Sequence, residues 1–181
     1  YYLAGNSLGG NIAVQTSPLL KGLCGLILMS SVHATNREEF FDYLQKTAPL
    51  DLILKNDLTS EELKRLASAF IFDTKNIDNF KQVELDIQNT DAHFKSHLAY
   101  SIETQTWTNE QQILACRHFP ILFINGRNDH FVNPSYFTDL MQKVNLSDRH
   151  FKFLDHVGHC PHIEEPSLCA EEILSFIQAT D

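Results

Sequence analysis

The chain has 181 residues, 43% hydrophobic and 20% charged, a balance that excludes a disordered or fibrous chain and suits one domain with a real core. Fourteen basic against twenty-three acidic residues leave a net charge of -9, which repels polyanions, so no nucleic-acid partner is expected. Cys24, Cys116, Cys160 and Cys169 show no CxxC spacing and sit in or beside apolar runs, which reads as reduced thiols in a cytoplasmic setting. No apolar run approaches the ~20 residues of a membrane span. No basic and then apolar leader is visible, although the chain starts at Tyr1 and not at methionine.

In chain order, "YYLAG" reads as a strand, followed by a sharp turn and a helix from about Gly10 that must end near Ser17, because Pro18 disfavours the helical region for the residue before it. "CGLILMSS" is a second strand, apolar throughout, as strands buried on both faces of a parallel sheet are. From His33 to His118 no strand alternation is visible and helix-start signals recur. Thr35 with Glu38 and Thr59 with Glu62 have the capping-box spacing. After Thr59, the residues Leu63, Leu66, Ala67, Phe70 and Ile71 form the stripe of an amphipathic helix. The alternation then returns: "ILFIN" as strand, "SYFTDLMQKV" as helix, "HFKFLD" as strand and "SLCAEEILSFIQA" as a last helix.

Strand and helix in turn, interrupted once by helices, predict an α/β fold: a doubly wound, mostly parallel sheet carrying a helical cap. Residues 1–32 and 119–181 would form the core and residues 33–118 the cap. Ligands of such sheets bind at the carboxyl ends of the strands, so chemistry is expected on the loops just after them.

Gly5-Asn6-Ser7-Leu8-Gly9 matches G-x-S-x-G between a predicted strand and a predicted helix. In that setting glycines permit a tight turn that projects the serine hydroxyl above the sheet, and the helix amino terminus offers N–H groups to an oxyanion. A chance Gly/Ser-rich loop is the bland alternative, because the motif is short. A serine hydroxyl needs a histidine base, itself oriented by a carboxylate. Asp129 in "GRNDHFVNP" and His159 in "DHVGHCPHIEEP" each follow a predicted strand. His130 adjoins Asp129, but adjacent residues on a loop seldom face the same point, so it is not the expected base. Asp155 shares a loop with His159 and reads as a solvated carboxylate. His156, His159, His162 and Cys160 suggest zinc by composition, yet Gly158 and Pro161 break the helix that would align them and Glu164 adds no known ligand spacing, so no metal is expected. The phenylalanines Phe40, Phe41, Phe70 and Phe72 read as core of the helical segment, some of them as lining of an apolar pocket.

Three motifs in order resemble those of the α/β-hydrolase superfamily, in particular its capped serine hydrolases. They are Gly5 to Gly9, then Gly126-Arg127-Asn128-Asp129, then Gly158-His159-Cys160-Pro161-His162-Ile163-Glu164-Glu165-Pro166 in the pattern G-H-x-P-x-x-E-x-P. The resemblance implies Ser7 as nucleophile, Asp129 as orienting acid, His159 as general base and the Leu8 N–H as an oxyanion donor, with no cofactor. It implies hydrolysis of an ester or related acyl bond in a small, apolar acyl substrate. Carbon–carbon bond hydrolysis, acyl transfer to another acceptor and a non-catalytic receptor stay open as alternatives. A serine at the elbow disfavours the dehalogenase and epoxide-hydrolase branches, and Cys160 stands where carbon–carbon hydrolases commonly carry tryptophan. Relatives also carry strands before the elbow strand and a second oxyanion donor after one of them. The chain is accordingly expected to be the carboxyl-terminal part of a longer enzyme, with its elbow strand at a sheet edge.

Overall fold

Two short apolar runs, Gly25–Met29 (β2) and Ile121–Gly126 (β3), lie side by side and are buried along their whole lengths. They are the middle of a four-stranded sheet in the order β1-β2-β3-β4, in which Tyr2–Asn6 (β1) and Phe151–Leu154 (β4) flank them and every pairing is parallel. The computed structural model describes residues 1–104, 107–147 and 150–180. Within them β1 pairs on one side only and is part-exposed, as an edge strand is.

The period-2 alternation of strand side chains divides the sheet's two faces. Leu26, Leu28, Ile121 and Phe123 point to one side, where they pack with Ala13 and Val14 of helix Leu8–Thr16 (α1) and with Tyr136, Phe137 and Leu140 of a helix at Ser135–Lys143. Ile27, Met29, Leu122 and Ile124 point to the other, against Cys169, Ile173 and Phe176 of the last helix, Pro166–Thr180. Helices on both faces of a parallel sheet are the predicted α/β architecture. Each such fully buried aliphatic side chain contributes about 1.5–3 kcal/mol, which holds the strands in one register.

Between β2 and β3 the chain forms six helices among the described residues: Arg37–Asp42 (α2), Leu50–Ile53 (α3), Ser60–Phe70 (α4), Ile77–Asn89 (α5), Ala92–Thr104 (α6) and Glu110–Ala115 (α7). After β3 come α8 (Ser135–Lys143), α9 (Pro161–Glu164) and α10 (Pro166–Thr180). Helix α4 is built as its sequence predicts: the Thr59–Glu62 capping box is present, and Leu63, Leu66, Ala67 and Ile71 are buried. The predicted Thr35–Glu38 box is displaced by one residue. Asn36 is the N-cap and accepts from the Glu39 N–H at 2.9 Å, while the Glu39 carboxylate reaches back to the Thr35 N–H at 2.6 Å. Asparagine caps at least as well as threonine, so the helix starts one residue later. Helix α1 starts at Leu8, two residues before the predicted Gly10, because the turn at Ser7 is completed in a single residue; it ends at Thr16, before a 3-10 turn at Ser17–Leu19 that accommodates Pro18.

The segment's two stems meet at a buried polar cluster. His33, on the way out of β2, is hydrogen-bonded to Glu110, on the way back, across 2.6 Å between Nδ1 and Oε2, and both residues are almost wholly buried. Glu110 also accepts from Asn11 Nδ2 at 2.8 Å and Gln15 Nε2 at 2.6 Å on α1. The Glu110 N–H donates to Ala34 O, and Gln111 Nε2 donates to His33 O. Helix α7 thereby packs beside α1 and α8.

Candidate active site

Ser7 occupies the one-residue turn between β1 and α1, with φ 51° and ψ -121°. A non-glycine residue at positive φ is strained and persists only where its surroundings enforce it. Here the Ser7 N–H donates to Met29 O at 2.8 Å and the Ser7 carbonyl accepts from Gly10 N at 2.9 Å. Gly5 is required by space: an added Cβ would stand 2.3 Å from the Gly9 carbonyl group. A Cβ on Gly10 would meet Ser31 Oγ at 2.5 Å, whereas one on Gly9 meets nothing within 4 Å among the described residues. The crowding at this turn thus falls on Gly5 and Gly10 more than on the second glycine of the motif.

The loops after β3 and β4 bring the other two candidates to the same point. His159 Nε2 lies 2.8 Å from Ser7 Oγ, and its Nδ1 lies 2.8 Å from Asp129 Oδ2. The other carboxylate oxygen, Oδ1, accepts from the N–H groups of Phe131 at 2.7 Å and Val132 at 3.1 Å. Burial pushes the Asp129 carboxyl up, but the charge and hydrogen bond of His159 and the two amides outweigh it, so the group is held below the usual carboxylate range. The imidazole is packed between the rings of Phe131 and Phe70, with centroids 4.7 Å and 5.6 Å away. Asn6, not singled out by its sequence, joins two of the loops: its Nδ2 donates to Met29 O and to His159 O, each at 3.1 Å.

Ser7 and His159 open into a cavity of about 430 Å³. Its walls are mostly apolar, with Phe40 and Phe41 of α2, Ile53 of α3, Phe70 of α4 and Ile102 of α6 among them. Leu8 follows Ser7 at the cavity and is the first residue of α1, whose opening N–H groups lack intrahelical acceptors.

The rival residues lie elsewhere. His130 is exposed, and Asp155 forms an exposed ion pair with Arg127 at 2.8 Å. His156 lies against Phe72, Cys160 packs in an apolar cluster with Ala67, Ile71 and Val83, and His162 is exposed. Among the described residues no group of three or more histidine, cysteine or carboxylate side chains is arranged to hold a metal ion. No described helix is long and apolar enough to cross a membrane.

Residues 1–166 match the family Hydrolase_4, described as Serine aminopeptidase, S33. The chain belongs to this family of α/β-hydrolases. The α/β-hydrolase has structural relatives among solved proteins. The N-acyl homoserine lactonase AidH, solved with N-butanoyl homoserine, is 23% identical with a TM-score of 0.77, over 97% of this chain and 62% of that one. An esterase from a Rhodococcus strain, RhEst1, is 13% identical with a TM-score of 0.77, over 99% and 66%. The 2-hydroxy-6-oxo-6-phenylhexa-2,4-dienoate hydrolase of Rhodococcus sp. strain RHA1 is 16% identical with a TM-score of 0.70, over 97% and 63%. At these identities the likeness is one of fold. The α/β-hydrolase chain spans about 62% of the length of the lactonase. No curated protein matches it by sequence.

Proposed function

We propose that this α/β-hydrolase cleaves an ester or related acyl bond through Ser7, His159 and Asp129. The observation that carries the reading is the unbroken hydrogen-bonded chain from Asp129 through His159 to Ser7, 2.8 Å at each link, ending at the mouth of an apolar cavity. Ser7 Oγ attacks the carbonyl carbon as its proton passes to His159 Nε2, and the carbonyl electron pair moves onto oxygen. The Leu8 N–H, at the positive end of α1, donates to that oxyanion; one such donor is worth about 10²-fold to 10³-fold in turnover in a well-studied protease. His159 then protonates the departing group as its bond to carbon breaks, leaving an acyl-Ser7 ester. A water, deprotonated by His159, hydrolyses that ester and restores the serine. Asp129 accepts from His159 Nδ1–H throughout, so that Nε2 is the nitrogen that faces the serine.

Residues 33–118 act as the cap, and its helices α2, α3, α4 and α6 supply the apolar wall for the acyl part of the substrate. Phe40, Phe41 and Phe70 give that wall flat aromatic faces, suited to a medium-length or aromatic acyl group. The test is a fluorophosphonate probe, which reacts only with an activated serine. The folded full-length protein should be labelled at Ser7, and Ser7→Ala should lose both the label and turnover of short p-nitrophenyl esters. A folded protein that stays unlabelled overturns the reading; labelling without turnover of any ester in a panel would make the cavity a receptor.

A further inference from the structure

Helix α4 ends at Phe70, and the first residue beyond it, Ile71, is extended. The last carbonyls of a helix have no intrahelical donor. That of Phe70 is met by the backbone N–H of His159 itself, at 2.8 Å. Two residues further on, the Phe72 N–H donates to Glu164 Oε2 at 2.6 Å, and Glu164 Oε1 accepts from the Gly158 N–H at 2.8 Å. One carboxylate therefore bridges two segments 86 positions apart, the residue before His159 and the end of α4, using one oxygen for each. Gly158 permits this closeness: an added Cβ would stand 2.9 Å from Phe72 N and 3.0 Å from both Ile71 C and Glu164 Oε1.

We infer that Glu164 is a positioning residue, which fixes His159 by tying the loop that carries it to the carboxyl end of α4. The inference rests on the hydrolase reading for its effect on rate. Glu164 sits at the far end of the short helix α9, which begins directly after Cys160, so its side chain folds back across the histidine loop. With Phe70 both packing on the imidazole and accepting from the His159 backbone, ring and main chain are referred to the same helix end. A displacement of that helix end moves the base relative to Ser7 and Asp129. A shift of about 1 Å in such a group costs as much as 10²-fold in rate.

The test compares wild type with Glu164→Gln and Gly158→Ala. Glutamine keeps the size of the side chain but sets an NH2 donor where the second oxygen accepts, so one of the two N–H groups faces a donor; alanine at Gly158 pushes the helix end and the loop apart. Turnover of p-nitrophenyl acetate, too small to depend on the cavity's far wall, is measured per fluorophosphonate-titrated Ser7, so unfolded protein does not count. Both variants should lose roughly ten-fold to 10²-fold in kcat with KM within about two-fold. The low-field proton resonance of His159 Nδ1–H, bonded to Asp129, should shift or broaden in both. Wild-type turnover per labelled site and an unmoved resonance in folded Glu164→Gln would overturn the positioning role. An unlabelled wild-type serine would overturn the hydrolase reading alone, since the resonance still reports whether Glu164 holds the imidazole.

Discussion

Gly126 and Gly158 meet backbone to backbone beneath the candidate site, so closely that a Cβ on Gly126 would stand 2.1 Å from the Gly158 carbonyl oxygen and 2.2 Å from that of Val157. The contact brings the loop of Asp129 against the loop of His159, and the Asn128 N–H closes it with a 2.9 Å bond to Val157 O. Gly126→Ala must separate the two loops, because every crowded atom is backbone and none can swing aside. A kcat loss of about 10²-fold and a destabilisation of about 1–3 kcal/mol are expected. Steady-state kinetics and urea unfolding measure them; wild-type values for both would show that the loops part without consequence.

Asp129→Asn tests the proposed role of Asp129 as the orienting carboxylate. An amide in its place offers His159 the wrong tautomer, and the equivalent change in a well-studied serine protease lowers kcat about 10⁴-fold. The same variant has a pH signature. The Asp129 carboxyl is held below its usual range in the folded chain, so its contribution is fully present above the unfolded value of about 3.9 and is lost as pH falls through the folded value. Thermal unfolding followed between about pH 2 and pH 6 should show a shallower acid decline in Asp129→Asn than in wild type. Parallel curves would mean that this carboxylate contributes nothing to acid stability.

Glu110→Ala removes one partner of a buried pair and strands the others. His33 Nδ1 and Gln15 Nε2 would lose this acceptor, and Asn11 Nδ2 would keep only Val32 O. Leaving buried donors unsatisfied costs about 1–3 kcal/mol, read as a shift in urea midpoint, with Glu110→Gln losing less because it keeps one acceptor. A loss under about 1 kcal/mol would place water, and not Glu110, as the partner that matters.

The cysteines should divide by environment. Burial lifts the Cys169 thiol to about 11 and Cys160 further still, while Cys24 and Cys116 are exposed. Alkylation needs the thiolate. Iodoacetamide should modify Cys24 and Cys116 in the native protein and all four thiols after unfolding, as read by mass spectrometry. Native labelling of Cys160 would show that the segment packed on it opens readily.

The sequence by itself determined the elements and their order. Four apolar runs with helical periods between them define a parallel sheet covered on both sides, and Gly5 to Gly9, Asp129 and His159 were marked by local patterns at strand ends, where the backbone leaves the sheet. Cap positions were legible to within a residue: Thr59–Glu62 formed as its spacing predicts, and Asn36 displaced Thr35 because neighbouring polar residues compete for one helix start. Only the tertiary structure decided which side chains meet across large separations. Ser7 and His159 are 152 positions apart, and His33 and Glu110 are 77 apart. Glu110 reads as an ordinary charged residue, and Glu164 as a position of a motif without a stated role, until the backbone N–H groups and amides around them are assembled. The close approach at Gly126 and the bridge at Glu164 are properties of two loops at once, and the local pattern of neither loop contains them.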